Sequence, residues 1–147
     1  MYADNGTKFV AIVNRKEPAP RVMNAIGHLM IGLTSSMQSE EVAALHYDNL
    51  DAGIASLISH HPFIVLESKN SNQIWTAYQQ ARAASLKTNL FISQMIGQSA
   101  ADQVRATAEA KIEDVECIAM ALFGAANDVD AVTKRFSLFK RFATADA

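Results

Sequence analysis

The chain has 147 residues, of which 50% are hydrophobic and 19% charged, and its formal net charge is -2. This composition is typical of one packed globular domain, and it excludes a disordered tail or a fibre. The near-neutral charge argues against a general nucleic-acid coat protein, and one cysteine excludes an intrachain disulfide and a multi-cysteine zinc site. We therefore predict a single domain over residues 1–147, with its core over about 8–140.

The first half of the chain predicts one strand and one long helix. Residues 9–13 form a short apolar run rich in β-branched side chains, as in a buried strand. Pro20 then begins a helix over 21–35, whose apolar residues recur at helical spacing. Gly27 and Gly32 each cost this helix about 1 kcal/mol relative to alanine. We expect a close neighbour at one of them at least, with fraying near the helix end as the alternative for Gly32.

The rest of the chain alternates between the two kinds of element. Residues 39–62 have weaker patterns and are interpreted as a short helix over 40–46 followed by a turn over 48–53. Predicted strands follow at 63–66, 90–92 and 117–123, and predicted helices at 70–84, 99–109 and 129–136, before a short extension over 137–147. This order predicts an α/β fold with three α/β/α layers and a mixed, mostly parallel four-stranded sheet.

Polar residues mark one face of the first predicted helix. Arg21, Asn24 and His28 are three and four residues apart and therefore share this face, and Lys16 precedes the helix. One interpretation is a site at the end of the first strand, where Lys16 and Arg21 hold a phosphate or carboxylate. There Asn24 would orient a substrate and His28 would act as a base or a hydrogen-bond donor. The alternative is a solvated helix face.

The other histidines and the cysteine do not indicate a metal site or a catalytic nucleophile. His60 and His61 are adjacent on an extended segment, so their side chains point to opposite sides. Cys117 lies in an apolar strand and is predicted to be a small buried residue with a raised pKa. We expect no metal and no cofactor. Because the apolar stretches are too short to cross a bilayer and residues 1–7 lack a hydrophobic signal core, we also expect a cytoplasmic protein with no membrane partner.

Two segments resemble a known fold. Residues 119–124 followed by 130–138 are similar to the closing strand and helix of type 2 peptidyl-tRNA hydrolases, in which a strand ends in glycine and an acidic-x-Val-Thr helix follows. The strand before Asn14 and the helix over 21–28 resemble the opening of that fold. This resemblance implies a peptidyl-tRNA hydrolase-like α/β fold, and with it a substrate linked to tRNA.

A closer resemblance covers about residues 8–140. Proline followed by Asn-x-x-x-His fits Pro20, Asn24 and His28, and Phe-Gly with a later Lys-x-Phe-Ser-Leu fits 123–124 and 134–138. This pattern resembles a bacterial family of unknown function, the domain of unknown function 2000 family, which is described as having the same hydrolase-like fold.

The chain departs from the hydrolases at their proposed catalytic motif. Residues 91–97 stand where those enzymes have Asp-Ala-Gly-Arg-Thr, and Gln94 takes the place of the aspartate. A glutamine can hydrogen-bond a water molecule but cannot accept its proton at neutral pH, so His28 is the remaining candidate base. The segment 98–113 replaces a short loop of the hydrolases and could cover the same cleft.

Three functions follow from these observations. The first is hydrolysis of peptidyl-tRNA or a related acyl ester, with His28 and Asn24 catalytic and Lys16, Arg21 and Gln94 holding the substrate. The second is a non-catalytic regulatory module that binds a small molecule or an anion in the same cleft. The third is a structural or homodimerising domain, favoured by apolar residues near the C-terminus, namely Phe136, Leu138, Phe139 and Phe142.

Overall fold

The structure is a computed structural model and describes residues 6–97 and 99–140 of the chain. The strands within these residues are β1 (Thr7–Asn14), β2 (Ala44–Asn49), β3 (Ile54–Ser59), β4 (Phe63–Ser68), β5 (Lys87–Ile92), β6 (Cys117–Ala125) and β7 (Ser137–Leu138). The helices are α1 (Ala19–Ser35), α2 (Ser39–Val42), α3 (Ser71–Ala83), α4 (Ala100–Glu109) and α5 (Ala126–Thr133).

The main sheet is mixed and has five strands within the described residues, in the order β5-β6-β1-β4-β7. Only β1 and β4 pair in parallel, whereas the other three pairings are antiparallel. The prediction of a mostly parallel, four-stranded sheet is therefore wrong. The reason is that β6 inserts between β1 and β5 and runs antiparallel to both, while Ser137 and Leu138 add a short edge strand beside β4.

Alternation along β1 builds a core on each face of this sheet. Phe9 and Val13 pack in the cluster that contains α1, whereas Val10 and Ile12 pack in the cluster that contains α3 and α5. Helices therefore cover both faces. Among residues 6–97 and 99–140, no helix has both the length and the apolar run that crossing a membrane requires.

A buried asparagine fixes where α1 begins. Asn14, at the end of β1, is fully buried, and its Nδ2 donates to the carbonyl oxygen of Cys117 at 3.1 Å. Its Oδ1 accepts from the backbone N of Lys16 at 3.0 Å. The turn after β1 is thereby attached to β6, and α1 starts from that turn with proline in its first turn.

Residues 39–62 differ from the prediction. Helix α2 is only four residues long, because Ala43 adopts a left-handed conformation with φ 50°. The predicted helix over 40–46 is therefore wrong beyond Val42, and β2 and β3 form an antiparallel hairpin instead. Its tip lies within the predicted turn, where the side chain of Asn49 accepts from the backbone N of Ala52 at 2.7 Å and Gly53 has φ 67°.

The C-terminal elements are shifted relative to the prediction. Strand β6 continues through Gly124, which pairs with Lys8, to Ala125, so α5 spans 126–133 rather than 129–136. Of the apolar residues near the C-terminus, Phe136 and Phe139 pack against the two cores and Leu138 is exposed. Phe142 lies outside the described residues.

Candidate functional site

A cavity of about 640 Å³ opens at the C-terminal end of β5, between that strand, α1 and α4. Strand β5 points the same way as β1, since both run antiparallel to β6. Ligands of open α/β sheets commonly bind at the carboxyl ends of such strands. The described residues that line the cavity are Asn24, His28, Leu29, Asn89, Leu90, Phe91, Met95, Ile96, Gly97, Gln103, Val104 and Thr107.

The asparagine and histidine of α1 share this cavity. Asn24 and His28 lie one turn apart, both are exposed, and both line the wall. The imidazole of His28 stacks on the ring of Phe91, with 6.2 Å between centroids and 24° between planes. The wall thus presents a carboxamide and an imidazole beside an aromatic face.

Asn89 is a site residue that the sequence analysis missed. Its Nδ2 donates to the carbonyl oxygen of Leu29 at 3.1 Å, and its Oδ1 accepts from the backbone N of Leu90 at 3.1 Å. A Cβ at Gly32 would lie 2.8 Å from this Nδ2, whereas a Cβ at Gly27 would meet no atom within 4 Å. The expected close approach of a neighbouring group therefore occurs at Gly32, where the neighbour is the Asn89 side chain. The glycine itself was the only feature of the sequence that indicated this contact.

The two helix glycines make a matched pair of substitutions. We expect Gly32→Ala to displace the Asn89 side chain, losing two hydrogen bonds of about 1 kcal/mol each. The higher helix propensity of alanine offsets only about 1 kcal/mol of this loss, so the free energy of unfolding should fall by about 1 kcal/mol. Gly27→Ala should instead raise it by about 0.5–1 kcal/mol. Urea denaturation measures both, and equal changes in the two variants would contradict the role of Gly32.

Helix α4 forms the outer wall of the cavity. It begins as predicted at Ser99, whose Oγ accepts from the backbone N of Asp102 at 3.1 Å, and none of its residues is buried. Gln103, Val104 and Thr107 face the cavity, and Gln103 Nε2 donates to the Gly97 carbonyl at 3.1 Å. Helix α4 thus covers the cavity beside α1.

Three predicted site residues are not among the described lining residues. Arg21 lies in the first turn of α1, and its Nη1 is 3.1 Å from Oε2 of Glu17, which lies in the turn before the helix. The Gln94 side chain donates to the Asp114 carbonyl at 2.8 Å and accepts from Ser93 Oγ at 3.1 Å. Lys16 is exposed in the turn after β1. The structure therefore brings Asn24 and His28 together and places Lys16, Arg21 and Gln94 elsewhere.

The cavity combines an apolar wall with polar groups that are largely uncharged. Among its described lining residues, His28 is the one ionisable side chain, beside the carboxamides of Asn24, Asn89 and Gln103 and the hydroxyl of Thr107. Carboxamides both donate and accept hydrogen bonds, and a neutral imidazole does so as well. In a catalytic triad, a carboxylate hydrogen-bonds the histidine and fixes its orientation. The described lining residues include no carboxylate that could do this for His28.

A second cavity, of about 410 Å³, lies beside the first at the same edge strand. Asn89, Leu90, Met95 and Thr107 line both. Helix α3 contributes Trp75, Tyr78 and Arg82 to the wall of the second cavity. The Arg82 guanidinium lies 5.5 Å from the centroid of the Tyr78 ring. The two cavities therefore adjoin along β5, next to α4.

Cys117 and His61 are both buried and lie outside the two cavities. Cys117 is fully buried, and burial raises the pKa of its thiol, against an opposing hydrogen bond to Ser71, as the sequence analysis predicted. His61 is buried, and its ring contacts the Glu41 carbonyl oxygen at 2.6 Å and Thr7 Oγ1 at 3.0 Å. Within the part of the chain that the structure describes, no group of three metal-ligating side chains comes together.

Comparison with known proteins places this architecture in a family. A family model described as "Protein of unknown function (DUF2000)" matches residues 7–140. The chain belongs to the DUF2000 family. Its fold is similar to that of Atu0240, a protein of unknown function from Agrobacterium tumefaciens, with TM-score 0.76 and 23% identity over 91% of this chain and 98% of that chain. No curated protein matches the chain described here.

Proposed function

We propose that this DUF2000 protein binds a small, largely neutral molecule in the cavity between α1, β5 and α4. The convergence of Asn24, His28 and Asn89 on one open cavity, over an apolar wall, is the observation that carries the proposal. Its volume of about 640 Å³ is that of a typical small-molecule site, in which a few polar groups orient a ligand held by apolar contacts.

The lining indicates the chemistry of the ligand. A phosphate or carboxylate is normally met by Arg, Lys or a helix N-terminus, and the described lining residues include no Arg or Lys. Asn24 instead suits a ligand with its own amide-like donors and acceptors, as do the hydrogen-bonding positions that Asn89 and Gln103 do not use within the protein. Phe91, Met95 and Val104 suit an apolar or aromatic portion of the same molecule. A neutral ligand is therefore favoured over an anion.

Hydrolysis of an acyl ester is the second candidate, favoured by the position of His28 in the cavity wall. In this function His28 takes a proton from a water molecule, whose oxygen attacks the acyl carbon, and the proton passes to the alcohol that leaves. Arg21, one turn before Asn24, and Lys16 would hold a phosphate outside the cavity. Gln94 would have to turn away from Ser93 and the Asp114 carbonyl before it could hydrogen-bond the water. This candidate rests on the type 2 peptidyl-tRNA hydrolase-like fold, which stays a prediction.

Two variants on α1 test whether the cavity binds a neutral ligand. Thermal shift with a library of neutral amides and heteroaromatic compounds should identify ligands that stabilise the protein, and Asn24→Ala should abolish that stabilisation. Arg21→Ala is the matched control on the same helix and should leave it unchanged. An equal loss in Arg21→Ala would contradict a neutral ligand.

Hydrolysis is measured in parallel with a model acyl ester and with N-acetyl-aminoacyl-tRNA. Ligand binding without turnover supports the binding function. Turnover that disappears in His28→Ala supports the hydrolase instead, and turnover unchanged in that variant excludes His28 as the base.

A further inference from the structure

The second cavity, between α3, β5 and α4, has a wall whose chemistry differs from that of the first. Its described lining residues are mostly apolar or aromatic, and Arg82 is the one charged side chain among them. Neither Asn24 nor His28 lines it. Its volume of about 410 Å³ lies within the range of small-molecule sites. The second cavity therefore suits a ligand of a different kind.

Three side chains of α3 line this cavity from one side of the helix. Trp75, Tyr78 and Arg82 are three and four residues apart, as residues that share a helix face are. The rings of Trp75 and Tyr78 are partly buried against the core cluster that contains α3 and α5, and their centroids are 5.7 Å apart. Because both residues also line the cavity, they offer an aromatic surface on which the ring of a ligand can pack.

The guanidinium of Arg82 lies next to this aromatic surface, 5.5 Å from the Tyr78 ring centroid. Arg82 is exposed, and within the part of the chain that the structure describes no carboxylate oxygen lies within 4 Å of its guanidinium nitrogens. Asp114 and Glu116 flank Val115 on the chain, but neither of them lines the cavity. A guanidinium in this position can donate two parallel hydrogen bonds to the carboxylate of a ligand.

We propose that the second cavity binds an aromatic carboxylate, with its ring against Trp75 and Tyr78 and its carboxylate on Arg82. A carboxylate carries one negative charge and therefore matches a single guanidinium, whereas a phosphate monoester carries nearly two at neutral pH. Thr88 also lines the cavity, and its hydroxyl can donate to a carboxylate oxygen. This ligand differs from the neutral molecule proposed for the first cavity, so the two proposals can fail separately.

The fluorescence of Trp75 gives a direct readout of this cavity, because Trp75 is the one tryptophan of the chain. Phenylacetate and phenylacetamide are suitable probes, since they have nearly the same shape, differ in charge and absorb little light at the wavelengths that excite indole. We expect phenylacetate to change the Trp75 emission in a saturable way. It should bind about fivefold more tightly than phenylacetamide, which is the upper end of what an exposed ion pair contributes.

Two arginines supply matched variants for this titration. Arg135 is also exposed and lies 5.3 Å from the Phe136 ring centroid, but it does not line the cavity. Arg82→Gln should weaken phenylacetate binding by about fivefold and leave phenylacetamide binding unchanged. Arg135→Gln should change neither affinity. Thermal melting without ligand checks that both variants keep the wild-type fold.

Two further variants separate the ring contact and the first cavity from the charge. Tyr78→Leu should weaken the binding of both probes, whereas Asn24→Ala should leave phenylacetate binding unchanged, because Asn24 lines only the first cavity. Phenylacetate that alters neither the Trp75 emission nor the NMR signal of its indole N–H would overturn the proposal. Equal affinities for the two probes, equal losses in Arg82→Gln and Arg135→Gln, or tighter binding of phenyl phosphate than of phenylacetate would overturn it as well.

Discussion

Replacing Asn14 with aspartate should lower the free energy of unfolding by about 3 kcal/mol at neutral pH. The change keeps the shape of the side chain but removes its donor, so the buried Cys117 carbonyl would face a carboxylate instead of an N–H. Burial beside a carbonyl oxygen raises the pKa of the introduced carboxyl in the folded state. The penalty applies to its ionised form, so it should shrink as the pH falls towards the ordinary aspartate value of about 3.9.

An exposed asparagine provides the control for this substitution. Asn72 lies in the first turn of α3, where a carboxylate interacts favourably with the helix N-terminus. Asn72→Asp should therefore change the free energy of unfolding by less than about 0.5 kcal/mol. Guanidinium denaturation of both variants at several pH values measures the difference. Similar losses in the two variants would show that Asn14 does not attach the α1 turn to β6.

Filling the cavity from α4 should block it without unfolding the protein. Val104 lines the cavity and is 71% exposed, so Val104→Trp adds an indole at the opening rather than in the core. We expect this variant to weaken ligand binding by about tenfold or more, because the indole occupies space that the ligand needs. Stability without ligand should stay close to wild type, since no residue of α4 is buried.

Glu109→Trp is the matched control for this effect. Glu109 is exposed at the end of the same helix and is not among the described lining residues. It lies about 120° or more around the helix from each of Gln103, Val104 and Thr107, so its side chain points away from the cavity. Isothermal titration with a ligand from the thermal-shift library compares the two variants. Binding that survives in Val104→Trp, or that is lost equally in both, would contradict a ligand beside α4.

Local patterns in the sequence predicted α1, α3 and α4 well. Helix α3 begins after Asn70, whose side chain accepts from the backbone N of Gln73 at 3.0 Å, as the capping pattern indicates. Helix α4 starts at its predicted serine for the same reason. Capping involves residues three positions apart, so short-range sequence contains all the information that it needs.

The sheet could not be predicted in the same way because its order depends on distant pairings. Each strand from β1 to β6 could pair with several others, and nothing local indicates that β6 inserts between β1 and β5. Strand β7 has only two residues, too few for a periodic pattern. The hairpin was missed because its apolar alternation is short and interrupted by Asn49 and Ser56.

The candidate site was predictable only where its residues lie on one helix. The spacing of Asn24 and His28 places them on one face of α1, and both line the cavity. Asn89 and Gln103 come from β5 and α4, which meet α1 only in the folded chain. Arg21 shares the helix with Asn24 but pairs with Glu17 instead, a contact that spacing alone does not distinguish from a ligand site.

The cavity between α1, β5 and α4 is where we propose that the ligand binds. The most direct measurement is a two-dimensional amide NMR titration of the labelled protein with a ligand from the thermal-shift library. We predict that the largest shifts fall on the side-chain amides of Asn24, Asn89 and Gln103 and on the backbone of residues 95–97. Shifts concentrated around Lys16 and Arg21, or on the β2–β3 hairpin, with those three amides unmoved, would show that the ligand binds elsewhere.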